Sequence, residues 1–250
     1  MSSLLDGYDA GGYYCELLGS QAHPAGHSLG IQNWLAKTRL RALRKRAFDC
    51  ERELFNLGIT FTVYSDRDAI DRVLPFDVIP RPIPSAEWAR LEQGLVQRVT
   101  AINLFLRDVY GPGKIFSDGI IPEELVKGNE NYQPEMADVN IPYNSFVNIC
   151  GVDLVRDADG IFRVLEDNAR TPSGVSYVIE NRHLMLRAFP DLIAGIGIRP
   201  VSEYGIRLRD AMADMAPAGI LDPQIVLMSP GVYNSAYFEH VFLARDNSDF

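Results

Sequence analysis

Apolar and polar residues alternate with two different periods along the first half of the chain. Apolar positions recur every three or four residues over 34–57 and again over 85–109, which predicts two amphipathic helices with one buried face each. Strict alternation over 59–64 predicts a strand between them. Residues 74–84 carry repeated prolines, which exclude helix and central strand and predict an extended connector.

The second half of the chain predicts a β-hairpin followed by shorter elements. Two strands are expected within 146–168, because the Asp159-Gly160 pair between two β-rich runs is a strong turn signal. A short buried strand is expected at 225–228. Helices are expected at 177–189, 203–215 and 234–244. This mixture predicts an α+β fold, an antiparallel sheet with flanking helices.

The composition is that of a soluble globular protein and excludes several other classes. Hydrophobic residues make up 47% of the 250 residues and charged residues 23%, so collagen-like, disordered and disulfide-scaffold proteins are excluded. The net charge is -9. We therefore expect no nucleic-acid partner and no membrane partner, while an acidic surface favours bound cations.

The cysteines and the N-terminal sequence predict a cytoplasmic location. Cys15, Cys50 and Cys150 are far apart in sequence, which indicates neither a disulfide framework nor a metal pair and favours a reducing compartment. The first residues carry acidic side chains where a signal peptide needs positive charge. No stretch approaches the roughly 20 apolar residues of a membrane span.

Basic residues are concentrated between 37 and 46, in the first predicted helix. Two interpretations remain open. These side chains form a solvated helix face paired with the acidic residues at 49–53, or they provide a local contact for a phosphate or another anion.

The most informative feature is a set of oxygen-bearing side chains on the predicted hairpin. If a two-residue turn joins the strands, Asp153 lies directly opposite Glu166, and a four-residue turn places the two diagonally. In both cases Asp153, Glu166 and Asn168 share one face, since side chains alternate along a strand. A turn with an odd number of residues keeps this arrangement only where a bulge compensates for it.

Two carboxylates on one face of a hairpin repel each other. Directly opposed side chains have Cβ atoms about 4.5–5.5 Å apart, where like charges are destabilising. A raised pKa on one carboxyl would give a general acid, and a bound divalent cation would also relieve the repulsion. Asn168 favours the cation, because carboxylate and amide oxygens are hard donors that suit Mg²⁺ or Mn²⁺. A solvent-facing hairpin that binds nothing is an equally open interpretation.

The segment after the hairpin predicts a shaped loop beside these carboxylates. Pro172 and Gly174 indicate a turn with free backbone N–H groups, where Arg170 and Ser173 can contact an anion. A plain connection from strand to helix is the alternative.

Several segments of the sequence together resemble the circularly permuted ATP-grasp family. Asp153, then Glu166 and Asn168, then Thr-Pro-Ser-Gly, resemble the metal-binding end of ATP-grasp ligases. The resemblance covers most of residues 47–245 and rests on PFDVIPRPI at 75–83, EW at 87–88, GLVQR at 94–98, LEDNARTPSGV at 165–175 and PGVYNSAYFEH at 230–240. Some of these proteins are described as glutathionylspermidine-synthase-like or peptide-ligase-like.

The resemblance implies an ATP- and Mg²⁺-dependent carboxylate–amine ligase. In such enzymes ATP phosphorylates a carboxylate and an amine attacks the acyl-phosphate, while Mg²⁺, or Mn²⁺, neutralises phosphate charge. The substrates are then a small-molecule or peptide carboxylate and an amine. The resemblance implies metal ligands at Asp153, Glu166 and Asn168, a catalytic role for Arg170, and cofactor binding by Arg170, Ser173 and Gly174. Arg81 and Arg98 belong to the motifs without an assigned role.

The sequence departs from the family on the C-terminal side of the hairpin. The Gly-rich loop over the phosphates and the lysines near the adenine are expected beyond residue 250, so we expect a truncated chain or a half whose partner is encoded separately. A non-catalytic fragment or interaction module that keeps the fold is the alternative. The expected parts are a lead-in at 1–33, an ATP-grasp-like region at 34–215 with the metal hairpin at 146–174, and an incomplete, pre-ATP-grasp-like α/β unit at 216–250.

Overall fold

A computed structural model gives the fold for residues 4–19, 26–64, 69–73, 75–194, 196–217 and 219–246. The helices in these ranges are α1 (Leu29–Lys37), α2 (Leu40–Asn56), α3 (Ser85–Val109), α4 (Lys114–Ser117), α5 (Glu123–Lys127), α6 (Val175–Ala188), α7 (Pro190–Ile193), α8 (Tyr204–Asp214) and α9 (Tyr237–Asp246). The strands are β1 (Thr60–Tyr64), β2 (Ala69–Val73), β3 (Gly151–Arg156) and β4 (Phe162–Asn168). The architecture is α+β, as the sequence predicts.

Helices α1 and α2 replace the single helix predicted over 34–57. The break falls at Thr38, whose backbone is extended (φ -92°, ψ 134°). Its hydroxyl donates to the Trp34 carbonyl over 2.8 Å and its N–H donates to the Leu35 carbonyl, so the last carbonyls of α1 keep partners. The Thr38 hydroxyl competes with backbone N–H groups for a carbonyl, which favours a helix end. The spacing of apolar residues does not show this effect, so the sequence pattern predicted one continuous helix. Helix α1 also begins at Leu29, within the stretch predicted to be irregular.

The main hydrophobic core lies where α1 and α2 meet α6 and α7. Leu35, Leu54, Leu184 and Phe189 are at most 1% exposed. The Trp34 ring meets the Phe189 ring edge-on, with centroids 5.5 Å apart. The buried members of this cluster are Ile31, Leu35, Leu43, Cys50, Leu54, Ile59, Val78, Leu184, Phe189 and Leu192.

Arg46 covers one side of this core from α2. Its guanidinium lies over the Trp34 and Phe189 rings, 5.5 and 5.3 Å from their centroids. It also donates over 2.7 Å to the carbonyl of the last α6 residue, where a cation complements the helix dipole. The neighbouring Lys45 pairs with Asp49 over 2.6 Å. These contacts favour the interpretation of the basic stretch as a paired helix face.

The strands form two separate antiparallel hairpins within the described ranges. β1 confirms the strand predicted at 59–64, and its partner β2 was not predicted from the sequence. β3 and β4 confirm the two strands predicted within 146–168.

The strand predicted at 225–228 is absent, so that prediction was wrong. The segment has no regular structure, and Val226 and Met228 are 73% and 88% exposed. No strand pairs with it among the residues that the structure describes, and an isolated strand leaves its backbone N–H and C=O groups without partners. Helix α9 confirms the helix predicted at 234–244, while the further α/β unit stays a prediction.

Helix α3 forms over the predicted span, but its apolar stripe is only partly covered. Val109 is its single fully buried residue, while Trp88, Val96 and Leu104 are 38%, 62% and 58% exposed. Neither α3 nor another helix in the described ranges has the length and apolarity that crossing a bilayer requires.

The pair Leu54 and Phe55 tests the core assignment. Leu54→Ala should lower the free energy of unfolding by roughly 2–5 kcal/mol, because it empties a fully buried site. The neighbouring Phe55 is 64% exposed, so Phe55→Ala should change the same quantity by about 0.5 kcal/mol or less. Urea denaturation measures both values, and equal losses in the two variants would show that this face of α2 is assigned wrongly.

Candidate metal centre

The register of the β3–β4 hairpin brings the predicted carboxylates together. Asp153 pairs with Glu166, and Gly151 pairs with Asn168, which confirms the register expected for a two-residue turn. The connection is longer, because residues 157–161 separate the two strands. A bulge between Asp153 and Leu154 offsets the odd length of this connection. Asp153, Glu166 and Asn168 can therefore share one face of the hairpin despite the five-residue connection.

Asp153, Glu166 and Asn168 form an exposed set of oxygen donors on the outer face of the hairpin. The Asn168 amide donates from Nδ2 to Glu166 Oε1 over 3.2 Å, which leaves its Oδ1 free to bind a cation. Neither carboxylate forms an ion pair with any described residue.

This donor set fits Mg²⁺ or Mn²⁺ better than a softer metal. It contains two carboxylates and one amide oxygen, all hard donors on one face. No group of three His, Cys, Asp or Glu side chains suited to a metal occurs in the described part of the chain. A cation here would also neutralise the repulsion between Asp153 and Glu166.

The opposite face of the hairpin is fixed to α3 by ion pairs. Arg98 in α3 holds the Asp167 carboxylate with Nε at 2.8 Å from both oxygens and Nη2 at 2.7 Å from one. The hydrogen bond from Arg98 lowers the pKa of Asp167, against the smaller opposing effect of burial. Since Asp167 lies between Glu166 and Asn168, this contact turns both neighbours to the outer face.

Arg156 provides the second attachment of the hairpin. Its side chain is 3% exposed, pairs with Glu87 at the start of α3 and lies between the Tyr14 and Phe162 rings, 4.7 and 4.1 Å from their centroids. A buried guanidinium between two rings combines ion pairing with cation–π attraction.

The N-terminal segment is joined to the same network through Glu16. Its carboxylate accepts from Arg81 at 2.5 Å and lies 3.9 Å from Arg156. Burial acts to raise the pKa of Glu16, but the hydrogen bond and charge of Arg81 and the charge of Arg156 outweigh it, so the pKa is lowered. Arg81 and Arg98, to which the sequence alone assigned no role, therefore anchor the structure around the hairpin.

The loop after β4 folds back onto the start of β3. A side chain at Gly151 would meet Pro172 at 2.8 Å and Asn168 at 3.6 Å, so only glycine permits this close approach. The Arg170 and Ser173 side chains are exposed and form no hydrogen bond with the described residues. Arg170 and Ser173, which were predicted to contact an anion, thus lie on a loop that packs beside Asn168.

The backbone N–H groups at the end of this loop are not free, contrary to the sequence expectation. Gly174 adopts a left-handed conformation (φ 106°) and donates its N–H to both Glu239 oxygens over 2.9 and 2.8 Å. Ser176 donates to Glu239 from N–H over 3.1 Å and from Oγ over 2.7 Å. Sequence reasoning missed Glu239, although it lies in the 230–240 motif, because 63 residues separate it from Ser176.

The sequence that carries this site matches a known protein family. The family described as "A circularly permuted ATPgrasp" matches residues 80–248. This match covers more than half of the chain and includes the hairpin, the loop and α9. The protein belongs to the circularly permuted ATP-grasp family.

Its relatives are longer proteins. An uncharacterized protein of Synechocystis sp. is 42% identical over 241 residues, which cover 96% of this chain and 50% of that protein. An uncharacterized protein of Mycobacterium tuberculosis is 41% identical over 246 residues, 97% of this chain and 44% of that protein. A Frankia alni protein named "Putative glutamate--cysteine ligase 2-3" is 35% identical over 247 residues, 97% of this chain and 28% of that protein. The chain spans half the length of these relatives or less.

Removing one of the opposed charges tests the geometry of the outer face. In metal-free protein Glu166→Gln should raise the free energy of unfolding by about 0.2–1 kcal/mol, because it abolishes the repulsion with Asp153. Asp153→Asn should have the same effect, and the double variant should add little. The gain should shrink in high salt. Chemical denaturation in a chelating buffer measures these values, and a loss of stability in both single variants would contradict the arrangement.

The Arg98–Asp167 pair predicts a pH dependence of stability. The lowered pKa means that the ionised Asp167 stabilises the fold fully above its unfolded pKa of about 3.9, and that this stability is lost as the pH falls through the folded pKa. The melting temperature of Asp167→Asn should therefore lie below that of the native chain near neutral pH, and the two should converge in acid. Arg98→Gln should behave alike. A difference that is undiminished at about pH 3 would show that the charge of Asp167 is not responsible.

Proposed function

We propose that this protein takes part in an ATP- and Mg²⁺-dependent carboxylate–amine ligation. A substrate carboxylate oxygen attacks the γ-phosphorus of ATP and ADP leaves, which yields an acyl-phosphate. An amine nitrogen then attacks the acyl carbon, inorganic phosphate leaves, and the amine loses a proton as the amide forms. Family membership supports this reaction class, and the shared outer face of Asp153, Glu166 and Asn168 is the observation that carries it.

The proposed roles follow from where each side chain lies. Asp153, Glu166 and Asn168 would hold a divalent cation, whose positive charge would neutralise phosphate charge. Arg170 contacts the transferring phosphate from the adjoining loop, as the catalytic residue, and Ser173 binds the same group. Gly174 contributes to cofactor binding by shaping the loop through its left-handed conformation. Its N–H does not contact the cofactor, because it is hydrogen-bonded to Glu239.

The substrates are proposed only as classes, a small-molecule or peptide carboxylate and an amine. The name of the Frankia relative supports a ligase, but that protein is matched over less than a third of its length. The chemistry proposed here is of the peptide-ligase type, to which the glutathionylspermidine-synthase-like resemblance of the sequence also points.

We further propose that the nucleotide site is completed by protein outside the described residues, in the same or a separately encoded chain. The accessible surface is 17506 Å², whereas a compact monomer of 250 residues exposes about 11,000 Å². Apolar side chains contribute to the excess on α3 and around 220–233, where Leu221, Met228 and Tyr233 are at least 88% exposed. Surfaces of this kind are normally covered by another part of an assembly.

The same surface favours an alternative function. A chain with extensive exposed apolar surface can act as an interaction module that keeps the family fold without turnover. Nucleotide binding distinguishes the two functions, because only the ligase needs ATP at the hairpin.

Metal and nucleotide titrations of the purified chain test the proposed function. Mn²⁺ binding, followed by electron paramagnetic resonance, should be weakened at least about tenfold by Asp153→Asn and by Glu166→Gln. Glu124→Gln, on the exposed face of α5, is the control and should bind as the native chain does. ATP with Mg²⁺ should raise the melting temperature of the native chain once the protein that completes the nucleotide site is present, equivalent to about 2.7 kcal/mol at a hundredfold excess over Kd.

Two results would count against this proposal. Equal Mn²⁺ affinity in the native chain and both hairpin variants would remove the metal centre. Metal binding without any rise in melting temperature on adding ATP, even with the protein proposed to complete the nucleotide site present, would favour the interaction module over the ligase.

A further inference from the structure

Helix α9 carries a buried carboxylate. The Glu239 side chain is 5% exposed, and Glu is almost never buried to this extent unless its charge has partners. Its two oxygens accept hydrogen bonds from Gly174 N–H, Ser176 N–H and Ser176 Oγ, at 2.7–3.1 Å. The carboxylate therefore occupies the N-terminus of α6, where free N–H groups and the helix dipole favour negative charge.

The Glu239 carboxylate also affects the pKa of two neighbouring tyrosines. Burial raises the pKa of the Tyr177 and Tyr204 hydroxyls, and the charge of Glu239 raises the pKa of both further. These tyrosines belong to α6 and α8, so Glu239 lies where three helices converge. A group placed in this way ties α9 to the start of α6.

The loop between β4 and α6 is thereby fixed at two points. Pro172 packs against Gly151 beside Asn168, and Gly174 is held by Glu239. Ser173 alone separates these two fixed points. Asn168 and Arg170 lie on the other side of Pro172, so the contact with Glu239 is four residues along the chain from Arg170.

We propose that Glu239 is the positioning residue of the candidate metal centre, which holds the 169–174 loop so that Asn168, Arg170 and Ser173 stay beside Asp153 and Glu166. The proposal rests on the function proposed above. It adds that phosphate oxygens at this site are contacted by the cation and by the Arg170 and Ser173 side chains. The N-terminus of α6 does not serve them, because a carboxylate of the protein already fills it.

Two variants of Glu239 separate charge from shape. Glu239→Gln keeps the shape but replaces one acceptor oxygen by an NH₂ group that faces the N–H donors. Glu239→Ala removes the side chain and leaves donors that a small carboxylate such as formate or acetate can satisfy. Glu180→Gln in α6, whose carboxylate lies 3.6 Å from His183 Nδ1 and is not hydrogen-bonded to the loop, is the matched control.

The experiment measures backbone amide order parameters by NMR and Mn²⁺ affinity on the same purified proteins. In both Glu239 variants the order parameters of Arg170 and Ser173, which Glu239 does not touch, should fall from the range of a rigid backbone towards about 0.6, and Mn²⁺ should bind about tenfold more weakly. Formate or acetate should restore both quantities in Glu239→Ala, and Glu180→Gln should match the native chain. Ser176→Ala, which keeps the carboxylate, should give a smaller change in the same direction.

The outcomes distinguish this inference from the proposed function. Lower order parameters confined to Gly174 and Ser176, with unchanged Mn²⁺ affinity, would reduce Glu239 to a helix cap and overturn the inference. An effect of formate that is equal in Glu239→Ala and in the native chain would overturn it as well. If neither the native chain nor any variant binds Mn²⁺ while the order parameters of Arg170 and Ser173 change as expected, the metal centre is wrong and the control of the loop by Glu239 stands.

Discussion

The pairing of Asp153 with Glu166 is the constraint on which the rest of the candidate site depends, and the inner face of the hairpin enforces it. Side chains alternate along a strand, so a slip of one residue would turn Glu166 towards α3 and Asp167 towards solvent. Arg98 would then lose the carboxylate that it now holds through both oxygens. Ion pairs that take no part in metal binding therefore decide which side chains are presented to a metal.

The start of α6 is a second place where contacts within the protein define the candidate site. Helix N-termini commonly bind phosphate, and the loop before α6 has the glycine and serine that such sites use. In this protein Glu239 fills that position from α9, so the negative charge is supplied by the fold itself. These contacts hold the loop within the protein itself, and under the proposed function they would lower the entropic cost of binding a nucleotide there.

The sequence predicted features that depend on local periodicity and missed those that depend on distant partners. Helix α3 and strands β3 and β4 follow from spacing and turn chemistry, and the shared face of Asp153 and Glu166 follows from strand alternation. The sequence did not predict the five-residue connection at 157–161 or the bulge after Asp153. The two features shift the register in opposite directions, so Asp153 pairs with Glu166 as it would with a two-residue turn. The contact between Glu239 and Ser176 joins residues far apart in sequence, and 225–228 has strand-like residues without a neighbouring strand among the described residues.

The uncovered segment at 225–228 has a consequence for the protein in concentrated solution. Its four consecutive apolar residues have no strand alongside in the described ranges and can contact the same segment of another copy, although Pro223 and Pro230 flank the segment, which is shorter than the roughly six or seven residues of a typical cross-β segment. The net charge of -9 opposes that encounter by mutual repulsion. Raising the ionic strength weakens this repulsion while leaving the apolar attraction intact, so self-association of the chain should increase with salt concentration.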